Sequence, residues 1–210
     1  MIRGLFKTTS RHRKYWATRK IDWMAAYFNP DHPHRAAILE RLKDFHPFMA
    51  ILEVGCAAGA NLYRIKKMFP HSDIGGIDWS ADAIETAKKI FPKVTILQVG
   101  EATDIYLGTQ GTDMLLSDMA YIYLSKKDFR RAIKEAKRVV RLGVVFCEFH
   151  EPRWGRRWAI KMMTGYNAYD YRAELLKAGF HDIQIKPLTS KDWPDTEKEN
   201  GLRAVISART

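Results

Sequence analysis

Short apolar runs alternate along this chain with longer segments in which apolar side chains recur every three or four positions. Runs of this length, bounded by Gly, Pro or acidic residues, are typical of buried strands, and the longer segments are typical of amphipathic helices. One run, 114–117, is apolar at its first three positions in succession, as expected for a strand covered on both faces. The pattern predicts strands at 49–54, 74–78, 94–99, 114–117, 144–149, 180–187 and 202–208.

Helices are predicted between most of these strands, and each has a recognisable stop signal. The helix after Pro33 ends at Pro47, and the most basic helix, 125–141, is followed by Gly143. Strand–helix alternation of this kind predicts an α/β fold with a doubly wound, mostly parallel seven-stranded sheet and helices on both faces. The last two strands lack a helix between them, so we expect the last strand to run antiparallel.

Two segments interrupt this alternation. Residues 1–33 form a basic and aromatic N-terminal arm whose first twenty residues hold seven Lys or Arg and no acid. Residues 150–170 form a second basic, aromatic insertion after the fifth strand. We therefore predict an arm at 1–33 and one domain at 34–210, with the insertion on its ligand side.

Composition narrows the class of protein. The chain has 210 residues, of which 46% are hydrophobic and 28% charged, as in an ordinary globular domain. Two cysteines are too few for a disulfide framework, and no apolar run approaches the ~20 residues of a membrane span. A cytoplasmic location is expected, although the acid-free start leaves mitochondrial targeting open. The net charge of +11 fits an anionic partner or simple solubility.

The stretch 51–61, Ile-Leu-Glu-Val-Gly-Cys-Ala-Ala-Gly-Ala-Asn, joins the first strand to a helix through a turn of small residues. Gly55 and Gly59 allow positive φ and close approach of a ligand to the backbone. A helix that begins near Gly59 directs unpaired N–H groups at the turn.

Acidic residues follow the next strands: Asp78 after strand two, Glu101 after strand three and Asp118 after strand four. In an open α/β sheet, ligands bind beyond the carboxyl ends of the strands, and an acid after strand two suits ribose hydroxyls. The turn lacks the third glycine of the G-x-G-x-x-G dinucleotide fingerprint, which argues against a nicotinamide oxidoreductase.

Glu53-x-Gly55-x-Ala57-x-Gly59 resembles the E-x-G-x-G-x-G turn of class I S-adenosylmethionine-dependent methyltransferases, with Ala57 in place of the middle glycine. Gly100-Glu101-Ala102 is similar to the family's Gly-Asp-Ala, with a longer acid, and Lys-Ala-Gly-Phe at 177–180 matches the step before the last strands. The resemblance covers roughly residues 34–210.

This resemblance implies S-adenosylmethionine as cofactor. Gly55 and Gly59 would admit the methionine moiety, with Glu53 supporting the turn through its backbone N–H groups, and Asp78 would bind the ribose. Trp79, Glu101 and Ala102 would contact the adenine or ribose, and Asp118 would approach the ammonium group and the acceptor. The implied cofactor-binding set is Glu53, Gly55, Cys56, Ala57, Gly59, Asp78, Trp79, Glu101, Ala102 and Asp118.

A general base is required only if the methyl acceptor must lose a proton. The candidates at the mouth of the site are Asp118, Tyr121, Glu148 and His150, and the predicted catalytic set is His150, Asp118 and Tyr121. His150, just after strand five, is the candidate best suited to titrate, and the alternative is a loop histidine without a catalytic task. Asp118, Glu148 and His150 lack a recognised metal-ligand spacing, so no metal site is predicted.

The arm and the insertion are expected to select the acceptor, because both mix basic and aromatic residues. Such surfaces suit an anionic or aromatic small molecule, or RNA, whose bases stack on aromatic rings. We favour a small-molecule acceptor. An RNA methyltransferase and a non-catalytic domain that binds the cofactor or a nucleic acid remain open, as does the oligomeric state. Trp154, Trp158, Met162 and Met163 fit helical spacing and could instead pack on the core.

Overall fold

The strands of the computed structural model form one sheet in the order β3-β2-β1-β4-β5-β7-β6. Strands β1 to β5 pair in parallel, and β7 runs antiparallel to both β5 and β6. The predicted fold, including its antiparallel last strand, is therefore confirmed. The structure describes residues 9–94, 96–194 and 202–210. The strands are β1 (Ala50–Val54), β2 (Asp73–Asp78), β3 (Leu97–Val99), β4 (Thr112–Asp118), β5 (Val140–Phe149), β6 (His181–Pro187) and β7 (Arg203–Arg209).

Helices cover both faces of the sheet. Ile38, Leu62 and Ile84 pack from three helices against one face, and Phe129 and Leu175 pack from two others against the opposite face. The sheet is thus buried on both sides, which explains its near-continuous apolar strands. The helices are α1 (Thr9–Thr18), α2 (Trp23–Tyr27), α3 (His34–Lys43), α4 (Ala60–Met68), α5 (Ala81–Ile90), α6 (Lys126–Val139), α7 (Trp154–Thr164) and α8 (Tyr171–Lys177), with a 3₁₀ helix at Tyr121–Tyr123.

Polar caps fix where several helices begin. The side chains of Ser80, Ser125 and Asp170 accept hydrogen bonds from backbone N–H groups in the first turns of α5, α6 and α8. Each cap satisfies one N–H group that the helix itself leaves unpaired, a contribution of about 1 kcal/mol. Because α5 starts just after β2 ends, its cap at Ser80 also helps to set the position of Asp78 at the strand end.

The boundary between α6 and β5 differs from its prediction. The helix was expected to reach residue 141 and stop at Gly143, but α6 ends at Val139 and β5 begins at Val140. Gly143 instead lies inside β5, where an added Cβ would approach the carbonyl oxygen of Ala208 on β7 to 2.2 Å. This glycine permits close pairing of two strands, a tertiary requirement that resembles a helix stop in sequence.

Part of the N-terminal arm folds into α1 and α2. Trp16 and Tyr27 pack with the buried Trp23 against Ala58 and Ala83, so the arm covers the first turn and α5. Residues 1–8, which include Arg3 and Lys7, lie outside the described residues. In the described part of the chain, none of the helices combines the length and apolar character needed to cross a membrane.

Candidate functional site

A cavity of about 460 Å³ opens at the carboxyl ends of β1, β2 and β4. This volume lies in the range of about 300–1,000 Å³ that is usual for small-molecule sites, and the position is the one expected for an open α/β sheet. Of the predicted site residues, those that line it are Glu53, Gly55, Cys56, Ala57, Asp78, Trp79, Ala102, Asp118 and Tyr121.

The first turn is shaped by close packing at its glycines. Gly55 has φ 76°, and a Cβ at this position would lie 2.4 Å from the Cβ of Ala120. Gly59, at φ 85°, precedes α4. Ala57 also adopts a positive φ, 47°, so it reproduces the backbone conformation for which glycine is favoured. The turn therefore keeps its shape despite the missing middle glycine.

Asp78 connects the turn after β1 to the segment that follows β2. Its two carboxylate oxygens accept hydrogen bonds from the backbone N–H of Ala57, at 3.0 Å, and of Ser80, at 2.9 Å. Burial raises the pKa of Asp78, while the backbone hydrogen bonds oppose that rise. Each carboxylate oxygen has a second lone pair, so the side chain retains the capacity to accept hydroxyl protons from a ligand.

Asp118 is the centre of a buried charged network. Its Oδ2 accepts hydrogen bonds from Nε2 of His34 at 2.8 Å, Nη1 of Arg35 at 3.1 Å and Nδ2 of Asn61 at 3.0 Å. Burial acts to raise the pKa of Asp118, but the charges and hydrogen bonds of His34 and Arg35 lower it well below its usual range. Among the described residues, its buried Oδ1 has no hydrogen-bond partner.

Glu53 is the second buried acid of the network. Its Oε1 accepts a hydrogen bond from Nδ2 of Asn61 at 2.7 Å, so Asn61 links it to Asp118. Burial raises the pKa of Glu53 to about 8. Its Oε2 is also buried without a hydrogen-bond partner in the described part of the chain. The two acidic side chains of this cavity thus each keep one oxygen that none of the described residues occupies.

Two histidines extend this network. The Nδ1 atom of His34 contacts the Nδ1 atom of His32, while its Nε2 faces Asp118. Two ring nitrogens in hydrogen-bond contact must have one proton between them. His32, His34 and Asp118 therefore form a continuous row of hydrogen-bonded groups. In the sequence, the tripeptide His32-Pro33-His34 indicates only a turn and the start of a helix, so neither histidine was predicted.

Three predicted residues lie elsewhere. Glu101, expected at the adenine, does not line the cavity and pairs instead with Arg13 of α1, with a nitrogen–oxygen distance of 2.6 Å. His150 does not line it either: its Nδ1 accepts a hydrogen bond from the backbone N–H of Tyr171, and burial lowers its pKa. Gly59 does not line the cavity, and a Cβ added at this position would lie 2.7 Å from the ring of Phe91.

Tyr121 lines the cavity, but its side chain belongs to the core. Its ring packs against Phe129 and Phe146, and burial raises the pKa of its hydroxyl far above the usual range. Nearby Glu148 is also buried and accepts three hydrogen bonds at Oε1, from Ser117 Oγ and the backbone N–H groups of Ala120 and Tyr121. This geometry assigns Tyr121 and Glu148 to the support of the strand-four turn.

Aromatic rings that the sequence did not assign close the cavity. Trp16, Trp23 and Tyr27 form one wall from the N-terminal helices, and Tyr123 and Tyr166 continue it. The rings of Tyr123 and Trp16 are 5.4 Å apart between centroids. The aromatic character of the arm was visible in the sequence, but its direction depends on contacts with residues far along the chain. Further lining residues are His32, His34, Arg35, Asn61, Trp193 and Arg203.

Comparison with known proteins relates this arrangement to one kind of domain. The family model described as a methyltransferase domain matches residues 51–143. A similar solved structure is the geranyl diphosphate C-methyltransferase of Streptomyces coelicolor A3(2), with a TM-score of 0.68 and 16% identity. That alignment covers 96% of this chain and 97% of the other, so the two share a fold over nearly their whole length.

Sequence relatives differ in the acceptors that their names state. The chain is 28% identical over 204 residues to 2-methyl-6-phytyl-1,4-hydroquinone methyltransferase 1, chloroplastic, of Oryza sativa subsp. japonica, covering 91% of this chain and 61% of that protein. It is 27% identical over 141 residues to ribosomal RNA small subunit methyltransferase C of Haemophilus influenzae, covering 67% of this chain and 39% of that protein. The chain thus spans less than two thirds of either relative.

Proposed function

Because this chain belongs to the class I S-adenosylmethionine-dependent methyltransferase family, we propose that it transfers a methyl group from S-adenosylmethionine to a small-molecule acceptor. The observation that carries this proposal is the set of carboxylates around the first turn. Glu53 and Asp118 each keep a buried oxygen without a partner among the described residues, and Asp78 lies across the turn. A ligand with a cationic end and a dihydroxylated ring fits these groups.

Each part of the cofactor has residues suited to hold it. Glu53 and Asp118 would accept hydrogen bonds from the ammonium group, and Asp78 would accept them from the ribose hydroxyls. Trp79 and the indoles of Trp16 and Trp23 would cover the nucleoside with apolar surface, which replaces the predicted contact from Glu101. The backbone of the Gly55 turn would approach the methionine carbons, because Gly55 and its neighbour Cys56 line the cavity and Gly55 contributes no side chain of its own.

The cofactor supplies an already activated methyl group, so the protein has mainly to orient the two reactants and exclude water. Orientation comes from the network that fixes Asp118, because three hydrogen bonds, one of which is also the ion pair with Arg35, leave its carboxylate little freedom. Exclusion of water comes from the aromatic wall built by α1, α2 and Tyr166.

A proton released by the acceptor would pass to the His32–His34 pair rather than to His150. His32 and His34 both line the cavity, and His34 is held by Asp118. A carboxylate that accepts a hydrogen bond from one imidazole nitrogen orients the ring and stabilises its protonated form. We therefore propose the His32–His34 pair, positioned by Asp118, as the proton acceptor for substrates that must lose a proton.

A small molecule fits the acceptor end better than a base within a folded RNA. His32, Trp193 and Arg203 line that end, and the guanidinium carbon of Arg203 lies 4.4 Å from the centre of the Trp193 ring. Ring faces and cationic groups in a cavity roofed by helices suit an aromatic or anionic acceptor of limited size. Labelled-methyl transfer to pooled metabolites, with pooled RNA in a parallel assay, distinguishes the two acceptor classes.

Replacing Asp78 by Ala should weaken binding of S-adenosylmethionine by about 1–3 kcal/mol, because the ribose hydroxyls lose a charged acceptor. Isothermal titration calorimetry with S-adenosylmethionine, S-adenosylhomocysteine and NAD measures this loss and tests the cofactor itself. Asp82→Ala serves as the matched control, since Asp82 lies on α5 and pairs with Lys20 outside the cavity.

Two results would contradict the proposal. Tighter binding of NAD than of either sulfur nucleoside by the unmodified protein would exclude the methyltransferase assignment. Equal affinity of Asp78→Ala and the unmodified protein for S-adenosylmethionine would remove Asp78 from the site. Since Asp78 also accepts backbone hydrogen bonds, the thermal unfolding of each variant is recorded to separate lost contacts from lost folding.

A further inference from the structure

Helix α7 presents large apolar side chains to solvent. Trp154, Trp158 and Met163 are 79%, 59% and 85% exposed, Met162 is exposed beside them, and no residue of the helix is buried. Two indoles and two thioethers on one short helix form an apolar surface that a monomeric protein rarely leaves uncovered. The prediction that these residues could pack on the core is wrong.

The opposite side of α7 is the one that holds it to the domain. Ile160 packs with Tyr166, Phe149 and Tyr123, and Lys161 donates a hydrogen bond to Asn167 at 2.7 Å. The apolar side chains of the outer face are therefore not required for attachment of the helix. In the described parts of the chain, no aromatic contact involves Trp154 or Trp158.

Basic residues flank this outer face. Arg153 and Arg156 are 65% and 61% exposed at their side chains, and both pair with the buried Glu151. Arg157 adds a third cation, Lys161 adds a fourth on the attached side of the helix, and α7 itself contains no acid. One buried carboxylate against four cations leaves the helix positively charged, which complements an anionic surface.

We propose that α7 is a docking helix for an anionic lipid surface. Trp side chains prefer the boundary between headgroups and acyl chains, and a helix with an apolar face flanked by Arg and Lys lies in the plane of that boundary. The methionines favour lipid over RNA, because a thioether gains from an apolar phase but offers no ring on which a base could stack.

Helix α7 packs next to the wall of the cavity. Ile160 of α7 packs in the same cluster as Met119, Tyr123 and Tyr166, and these three residues line the cavity. Docking by α7 would bring the aromatic wall of the cavity close to the lipid surface. Lipid binding itself does not depend on methyl transfer, so it is tested on the protein without cofactor.

The test is flotation of the full chain with vesicles. We expect binding to mixed phosphatidylcholine–phosphatidylglycerol vesicles, weak binding to phosphatidylcholine alone, and loss of binding at high salt. The double variant W154S/W158S should bind the anionic vesicles at least about tenfold more weakly, because two indoles no longer enter the lipid. Both positions are exposed, and circular dichroism checks that the variant remains folded.

The matched control is M49S/Y106S, which removes two exposed apolar side chains far from α7 in sequence. Equal vesicle binding by the unmodified protein and W154S/W158S, or an equal loss in both double variants, would overturn the proposal. The same variants test two other binding partners for α7, an RNA and a second copy of this chain. Loss of oligouridylate binding or of self-association in W154S/W158S, with vesicle binding retained, would assign the helix to RNA or to a second copy.

Discussion

Replacing Asp118 by Asn is expected to lower the free energy of unfolding by about 3–5 kcal/mol and to abolish binding of S-adenosylmethionine. The amide keeps an oxygen that accepts hydrogen bonds but loses the charge that faces Arg35 and His34. The Arg35 side chain is only 13% exposed, so its cation would remain buried without its anion. Urea unfolding measures the loss of stability, and calorimetry measures the loss of cofactor binding.

The double variant Arg35→Met/Asp118→Asn separates charge from geometry. With the buried cation removed as well, stability should recover in part, while cofactor binding stays absent because the carboxylate is still missing. A stability of Asp118→Asn equal to that of the unmodified protein would show that the network contributes nothing to folding. Full recovery of cofactor binding in the double variant would show that Asp118 does not contact the cofactor.

Acid sensitivity provides a second measurement on the same variant. The pKa of Asp118 is lowered in the folded protein, so its contribution to stability is complete above the unfolded value of about 3.9 and is lost as the pH falls toward the folded pKa. The unmodified protein should therefore lose stability through this range more steeply than Asp118→Asn. If the free energy of unfolding fell equally steeply with pH in the two proteins, the pKa of Asp118 would not be lowered in the folded state.

Replacing Glu148 by Gln should have the opposite effect at alkaline pH. Burial raises the pKa of Glu148 to about 8, well above that of an unfolded glutamate, about 4.3. Such a group contributes stability below its unfolded pKa, and that contribution is lost as the pH rises to about 8. The neutral glutamine avoids the loss and still accepts hydrogen bonds at Oε1. Between pH 5 and pH 9, the free energy of unfolding of the variant should therefore rise by a few kcal/mol relative to that of the unmodified protein.

Urea unfolding at several pH values tests this expectation. Glu174→Gln is the matched control, because hydrogen bonds from Arg130 lower the pKa of Glu174. That variant should lose stability at neutral pH, with no relative gain toward pH 9. If the difference between Glu148→Gln and the unmodified protein did not change with pH, Glu148 would not carry the raised pKa.

Local sequence rules were sufficient for the sheet and for the half of the site that the strands build. Gly55, Asp78 and Asp118 follow strands that run in parallel, so their convergence follows from topology alone. The end of α6 was misplaced because a glycine signals a helix stop locally, whereas the glycine at 143 serves a strand pairing across the chain.

The other half of the site depends on contacts between distant segments. Nothing near Trp16 or Trp23 in sequence indicates that the arm folds back over the first turn, and His34 reaches Asp118 across 84 positions. Glu101 was assigned to the cofactor from its place after strand three, but Arg13 pairs with it from α1. Side-chain partners of this kind are decided by packing rather than by local propensity.

The six tryptophans fall into two groups, and this distribution makes the protein its own optical reporter. Trp16, Trp23, Trp79 and Trp193 line the cavity, whereas Trp154 and Trp158 are exposed on α7. Emission from the exposed pair is open to quenching by aqueous iodide, whereas the other four, of which Trp23 is buried and the rest are half-buried, should be quenched less. A ligand in the cavity and a partner on α7 should therefore change different fractions of the intrinsic fluorescence. A single fluorescence titration can then report on both binding events without an added label.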